Sequence, residues 1–270
     1  MARRTFDPDQ ASFTLVMGAL TIAAITLLLA PTLVVVIVSF TDSFSLRFPP
    51  PGYSFKWYVA LLDAWQLHFA AWNSFVVALW TTVISVVLGV AASLAIARSP
   101  TLTARLLDSL FMSPLVLPAL AFGLAALMLF SLVGLPISPL TLIIGHTVVC
   151  VPYVVRTTVA ALAQLDTVLL ESSASLGASR LYTFRRITLP LIRPGIIAGA
   201  FLAFMASFDN VPVSLFLRDA RTDMLPIRMW QDLEGKLDVT IAAVSGVMIF
   251  LTILALVVME RMAGLSRRLR

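Results

Sequence analysis

The sequence predicts an all-α integral membrane protein with six transmembrane helices and a helical cytoplasmic loop between the fourth and the fifth. Three observations carry this expectation. Of 270 residues, 60% are hydrophobic and 12% are charged, which leaves more apolar surface than one soluble core of that length buries. The apolar residues fall into six runs, each near or above the roughly 20 residues that cross a bilayer as a helix. Between the fourth and fifth runs lies a polar, basic, helix-forming stretch, LESSASLGASRLYTFRRITLPLIRPG, at 170–195.

The runs occupy 13–40, 74–97, 106–132, 140–162, 195–217 and 239–262. The first follows MARR but is too long for the apolar part of a secretory signal, and no small-residue cleavage site follows it; it is read as a retained span. Pro31, Pro114, Pro118, Pro152 and Pro212 lie within runs. Neighbouring helices in a bundle satisfy the carbonyls a proline frees, so kinked spans are expected there. The organisation is an N-terminal segment 1–12, a transmembrane domain 13–262 that includes a loop at 163–194, and a basic tail 263–270. Cys150 is the single cysteine, so no disulfide forms within the chain, and inside an apolar run it reads as a small buried thiol.

Orientation follows from Lys and Arg in the short connections. Arg3 and Arg4, then Arg98 and Arg105, then Arg180, Arg185, Arg186 and Arg193, then Arg261, Arg267, Arg268 and Arg270 fall on one side, which is read as cytoplasmic. The other side has Arg47 and Lys56, no basic residue near 134–139, and a fifth connection in which Arg218, Arg221, Arg228 and Lys236 are nearly cancelled by Asp219, Asp223, Asp232, Glu234 and Asp238. Both termini are therefore expected inside. The net charge of +5 fits anchoring against anionic membrane lipid and needs no nucleic-acid partner.

The polar stretch reads as two short helices. Asp166 suits an N-cap for a helix starting at Thr167, and Gly177 suits the left-handed residue that ends it. Ser179 caps a second helix running through Arg186, with Pro190 stopping it before the next span. Leu165, Val168, Leu169 and Leu176 give the first helix an apolar stripe, while Ser172, Ser173, Ala174 and Ser175 keep the adjacent surface small enough for another backbone to approach. A helix lying on lipid is the alternative.

Glu171, Ser172 and Ser173, then Gly177, then Ile187, Thr188, Leu189 and Pro190 stand in a pattern that resembles the cytoplasmic loop E-A-A-x3-G-x9-I-x-L-P of membrane subunits of binding-protein-dependent ABC importers. Serines replace the usual alanines at 172 and 173, and remain small. The stretches FKWYVALL, WNSFVVAL, LGVAASLAIAR, SFDNVPVSLFL and LPIRMW, beginning at 55, 72, 88, 207 and 225, are similar to the spermidine/putrescine-type branch. The resemblance implies one permease subunit in the bacterial inner membrane. Its partners would be a second permease subunit, often non-identical, two ATPase subunits that carry the ATP and Mg, and a periplasmic solute-binding protein. It also implies that the 167–177 helix sits in a groove of the ATPase, with Glu171 contacting a basic group and Gly177 reversing the chain. Arg180, Arg185 and Arg186 either reach acidic ATPase surface or anchor the loop at the membrane.

The chain itself has no H-E-x-x-H, no G-x-S-x-G and no phosphate-cradling Walker loop, and His68 and His146 are isolated; catalysis, a bound cofactor and a metal site are not expected. An ion- or proton-coupled secondary transporter is the alternative function. It would want several carboxylates inside spans, whereas only Asp209 lies plainly within one, with Asp108 and Glu260 near span ends. Asp209 is expected some 14 residues into a helix that begins near Gly195, roughly 21 Å from its start. With Phe204, Phe208, Asn210 and Trp230 it makes a candidate transient site for a cation, or else it pairs with an arginine of this or a partner subunit. The family resemblance favours a small cationic or amino-containing, polyamine-like cargo.

Overall fold

A computed structural model describes residues 8–97, 101–219, 222–236 and 239–264. Of the basic residues used to orient the chain, Arg3, Arg4, Arg98, Arg221, Arg267, Arg268 and Arg270 lie outside the described residues, as does Asp238. The helices are α1 (Pro8–Ser39), α2 (Lys56–Leu62), α3 (Trp65–Ala97), α4 (Leu102–Val116), α5 (Ala119–Leu132), α6 (Pro139–Ala163), α7 (Thr167–Ser175), α8 (Arg180–Thr183), α9 (Leu189–Phe208), α10 (Val211–Leu217), α11 (Leu225–Lys236) and α12 (Thr240–Ala263). A single π turn, Phe184–Thr188, joins α8 to α9. Among the described residues five helical runs are long and apolar enough to cross a membrane, and α4 with α5 makes a sixth span if taken as one broken crossing.

The third span departs from the continuous helix expected over 106–132, because α4 and α5 meet at a bend of 105°. Proline lacks an N–H and pushes the preceding residue out of helical geometry. Leu117, just before Pro118, is accordingly extended at φ −73° and ψ 142°, and the helix ends there. Pro31 and Pro152 stay inside α1 and α6, in keeping with prolines in a bundle.

The fifth span departs twice. Pro190 does not stop the second loop helix; α8, the π turn and α9 form one run, Arg180–Phe208. In the π turn the N–H of Leu189 donates to the carbonyl of Phe184, five residues back, and this wider turn makes room for the proline ring that follows. At the other end the expected helix through Leu217 breaks after Phe208. Pro212 cannot donate back to the Phe208 carbonyl, and Asn210 instead caps a new helix by accepting the Val213 N–H at 2.9 Å.

The chain forms two compact units. One comprises the described residues up to Asp63 together with Asp232–Leu251. Within it, Gly246 on α12 allows the Tyr58 and Ser39 hydroxyls to come close, since a Cβ there would lie 2.5 and 3.0 Å from them. Those two hydroxyls share a hydrogen bond of 2.7 Å, and Phe40 packs on Tyr58 and edge-on to Phe55.

The other unit comprises Ala64–Gln231 and the described residues from Thr252 onward. In it α3, α6 and α9 pack against one another. Lipid offers no hydrophobic drive between helices, so close backbone approach and hydroxyl bonds carry the packing. Gly195 and Gly199 of α9 face α6 in this way: a Cβ on Gly195 would stand 2.6 Å from that of Ala161, and one on Gly199 would stand 2.9 Å from the Val154 Cα. Ser93 of α3 donates to the Val155 carbonyl of α6 at 3.3 Å and to Gly89 at 2.7 Å. Val77, Phe130, Leu142, Val213, Leu217, Met224 and Ile227 form a core around α10.

Candidate functional site

Two regions of this second unit hold the residues singled out from the sequence, and α9 runs between them. The first is the α7–α8 loop. Asp166 accepts the Val168 N–H at 2.9 Å and caps α7, as its position predicts. The helix ends at Ser175, with Leu176 as its C-cap, and Gly177 adopts φ +77°. The Ala178 N–H then reaches the Ser173 carbonyl at 3.1 Å and the Gly177 N–H reaches that of Ala174 at 3.0 Å. This crossed pair is a Schellman turn, which a side chain at 177 would strain.

Within the loop the two small motif serines divide. Ser172 is exposed, whereas Ser173 is buried and shares a 2.8 Å hydrogen bond with Thr183 of α8. Ser173 therefore faces inward and clasps the two helices, rather than adding to an open small-residue surface. Glu171, Gly177, Arg180, Leu189 and Pro190 are exposed and Ile187 is half-buried. Among the described residues Glu171 forms no ion pair. Val168, Leu169 and Leu176 leave their apolar surface uncovered, Leu176 at 88% exposure.

The second region is the break between α9 and α10. Contrary to expectation, Asp209 is not embedded in a helix but is the C-cap of α9. It stands 20 residues along that helix, roughly 30 Å from its start. Its side chain is exposed and makes no ion pair with an arginine among the described residues. Asn210 is committed to the α10 cap through its carbonyl oxygen.

Phe204 and Phe208 stack one turn apart, centroids 5.8 Å apart and planes at 28°. Phe204 also meets Phe75 of α3 edge-on at 5.9 Å, and Phe75 stacks on Trp72 at 5.9 Å. Four rings thus form a ladder beside Asp209 in sequence, with Trp72 open at 63%. Trp72 and Phe75 were missed as site residues, although two aromatic pairs at helical spacing on separate spans were a usable signal. Trp230, on α11 and 56% exposed, lies outside this ladder among the described residues.

The break is held from behind by His146. Its Nδ1 lies 2.8 Å from the Ser207 hydroxyl on α9 and its Nε2 3.0 Å from the Ser214 hydroxyl on α10, and all three side chains are fully buried. A neutral imidazole donates from one nitrogen and accepts at the other, so both serines are satisfied at once. These two bonds make His146 a hydrogen-bonded packing residue that joins α6 to α9 and α10. Glycines bring α10 in close: a Cβ on Gly145 would collide with Leu217, and one on Gly123 would come within 2.8 Å of the Pro212 carbonyl. Beyond α10, Arg218 pairs with Asp223 at 3.0 Å. Asn73 donates to the Asp223 carbonyl at 3.1 Å and Ser74 accepts the Leu225 N–H at 2.9 Å, which ties the following connection to α3.

Residues 85–270 match the family described as "Binding-protein-dependent transport system inner membrane component". The chain is 29% identical over 233 residues to "Spermidine/putrescine transport system permease protein PotC" of Haemophilus influenzae, covering 86% of this chain and 90% of the relative. It is 31% identical over 220 residues to "Putrescine transport system permease protein PotI" of Escherichia coli K12, covering 77% and 76%. A chain in the crystal structure of a bacterial ABC transporter that imports the acidic polysaccharide alginate has the same fold, with a TM-score of 0.71, 17% identity and 96% coverage of both chains.

Proposed function

The chain belongs to the family of inner-membrane components of binding-protein-dependent transport systems, a non-catalytic permease, and from that premise we propose that it imports a small cationic amine of polyamine type. On this reading it forms half of a pathway with a second, non-identical permease subunit. Two ATPase subunits that bind ATP and Mg attach at the α7–α8 loop, and a periplasmic binding protein delivers cargo at the opposite end. Both termini are cytoplasmic.

One observation carries the coupling part. The α7–α8 loop is locally complete, capped at one end by Asp166 and closed at the other by the Gly177 turn, yet its apolar stripe and Glu171 face outward, and Glu171 has no ion-pair partner among the described residues. A surface finished in its backbone and unfinished in its side chains fits a docking helix. Glu171 offers a carboxylate for a charge-assisted bond, and Arg180 a guanidinium for an acidic group. Ile187 lies in the π turn, and Leu189 and Pro190 open α9, which carries the motion onward. The Ser173–Thr183 clasp fixes α7 to a single helical run of 29 residues. Tilting α7 on nucleotide-driven closure of the ATPases would move the far end of that run, where the aromatic ladder and Asp209 lie.

The cargo part rests on that ladder. Ring faces attract an ammonium by roughly 0.5–2 kcal/mol each, depending on desolvation. A carboxylate beside them supplies charge without the need for a deep, tight site, which suits a pathway that must also release its cargo. Asn210 contributes through the α10 cap, and Trp230 of α11 offers a further exposed ring. The test is uptake of putrescine and spermidine by proteoliposomes containing the whole importer, with ATP enclosed. Uptake that requires ATP and the binding protein is the expected result; uptake driven by a proton gradient without the ATPases would overturn it.

A further inference from the structure

Beyond the docking helix, α8 and the π turn carry a groove of about 350 Å³ lined by Ser179, Leu181, Tyr182, Arg185 and Arg186. We propose that this groove seats the phosphate-bearing headgroup of an anionic phospholipid of the inner leaflet, so that a bound lipid forms part of the coupling region. The inference rests on the cytoplasmic placement of the α7–α8 loop.

Four features converge on that ligand. Arg185 and Arg186 line one groove although they are sequence neighbours. In an α-helix adjacent side chains diverge by roughly 100°, at 3.6 residues per turn. Both arginines lie in the π turn, whose additional residue per turn narrows that angle and brings two forked guanidinium groups to one opening. Planar, multiply donating and weakly hydrated, a pair of guanidinium groups matches phosphate oxygens.

Neither charge is already spent. Among the described residues neither arginine forms an ion pair, and the groove lining contains no carboxylate. The lining also offers hydroxyl donors: the Ser179 oxygen accepts the Tyr182 N–H at 3.3 Å, which leaves its own O–H to donate outward, and Tyr182 adds a phenol. At about 350 Å³ the groove has room for a glycerophosphate group and not only for a bare ion.

The position distinguishes a lipid from a protein side chain. The groove opens at the first turns of a run that continues without a break into a span, where headgroups lie. Leu181 in the lining, and Leu189 and Leu191 further along the same run, expose apolar surface suited to an acyl chain. Exposed Tyr182 is the kind of side chain that collects at such an interface. The docking surface of α7, by contrast, presents Glu171 and an apolar stripe.

The experiment uses the complete importer in detergent, with phosphatidylglycerol retention followed by native mass spectrometry. Wild-type complex is expected to retain phosphatidylglycerol in preference to phosphatidylcholine. R185Q/R186Q should weaken retention about thirtyfold, the order expected for two basic side chains at a membrane surface. R185K/R186K keeps the charge and favours insertion but loses the fork, and should fall between. Equal retention by wild type and R185Q/R186Q would overturn the proposal. So would displacement of the lipid by millimolar inorganic phosphate, which would mark a free-anion site, or loss of the ATPase subunits from R185K/R186K, which would assign the arginines to docking. Labelling of the Ser179→Cys variant only from outside would instead defeat the topology on which the inference stands.

Discussion

The break after Phe208 and the α7–α8 loop lie at opposite ends of one helical run, and they are built on opposite plans. At the break the polar side chains of α6, α9 and α10 are used within the chain: His146 serves Ser207 and Ser214, Asn210 caps α10, and glycines admit α10 closely. At the loop the backbone is equally well satisfied, but the side chains of Val168, Leu169, Glu171 and Leu176 face outward. An interlocked region positions whatever it carries, whereas an open one waits for something else. That difference fits the proposed transmitter, with a contact surface at one end and a fixed frame for cargo groups at the other.

Four substitutions test the contrast, from the largest expected effect to the smallest. Gly177→Val forces a β-branched residue into a left-handed conformation, costing about 1–2 kcal/mol even before the Schellman turn is disturbed. Cargo-stimulated ATPase activity in proteoliposomes should drop at least roughly tenfold while insertion persists. Normal stimulation would remove the loop from the coupling account. His146→Leu leaves two buried serines without their partner at about 1–3 kcal/mol each, and should lower the thermal-aggregation midpoint of the purified complex. His146→Gln should recover part of the loss; identical midpoints for all three proteins would mean that the break is not held as described.

Asp209→Asn keeps the helix end and removes the charge. Uptake of a cationic amine should fall about tenfold, roughly the effect of one lost charge-assisted contact, with the ATPase subunits still bound. Unchanged uptake would take the residue out of the pathway. Ser173→Ala removes a single hydroxyl bond worth about 1 kcal/mol and should reduce coupling only two- to threefold in the same ATPase assay. A collapse as deep as that of Gly177→Val would mean that Ser173 contacts the ATPase directly and does not act as an internal clasp.

How far the sequence revealed this arrangement depended on which physical rule dominated at each place. Lipid demands uninterrupted apolar helix, so the fourth and sixth spans, expected at 140–162 and 239–262, appear as Pro139–Ala163 and Thr240–Ala263. The loop was legible for a different reason: Asp166 and Gly177 each solve a local backbone problem that few other residues solve. Prolines were less readable. Pro31, Pro152 and Pro194 remain inside helices, while Pro118 follows an extended Leu117 and Pro212 follows a capping Asn210. A proline alone does not decide whether the helix breaks.

The aromatic ladder was half legible. Phe204 and Phe208 stood out beside Asp209, but Trp72 and Phe75 join them only through the packing of α3 on α9. Ser173 was misjudged for a similar reason, since its partner Thr183 lies across the turn. Both depend on which face of a helix meets another, a matter periodicity constrains weakly in a nearly all-apolar span.

The central claim is that α7 is the contact through which ATPase motion enters the chain. It is tested most directly by site-specific crosslinking from Glu171→Cys in the intact importer, with and without nucleotide. Cys150, fully buried, leaves the introduced thiol as the reactive one. The account predicts that the introduced thiol crosslinks to an ATPase subunit, is shielded from reagents added outside, and changes its crosslinking yield when nucleotide closes the ATPases. Labelling by an impermeant reagent from the periplasmic side, or an absence of any ATPase adduct, would contradict it.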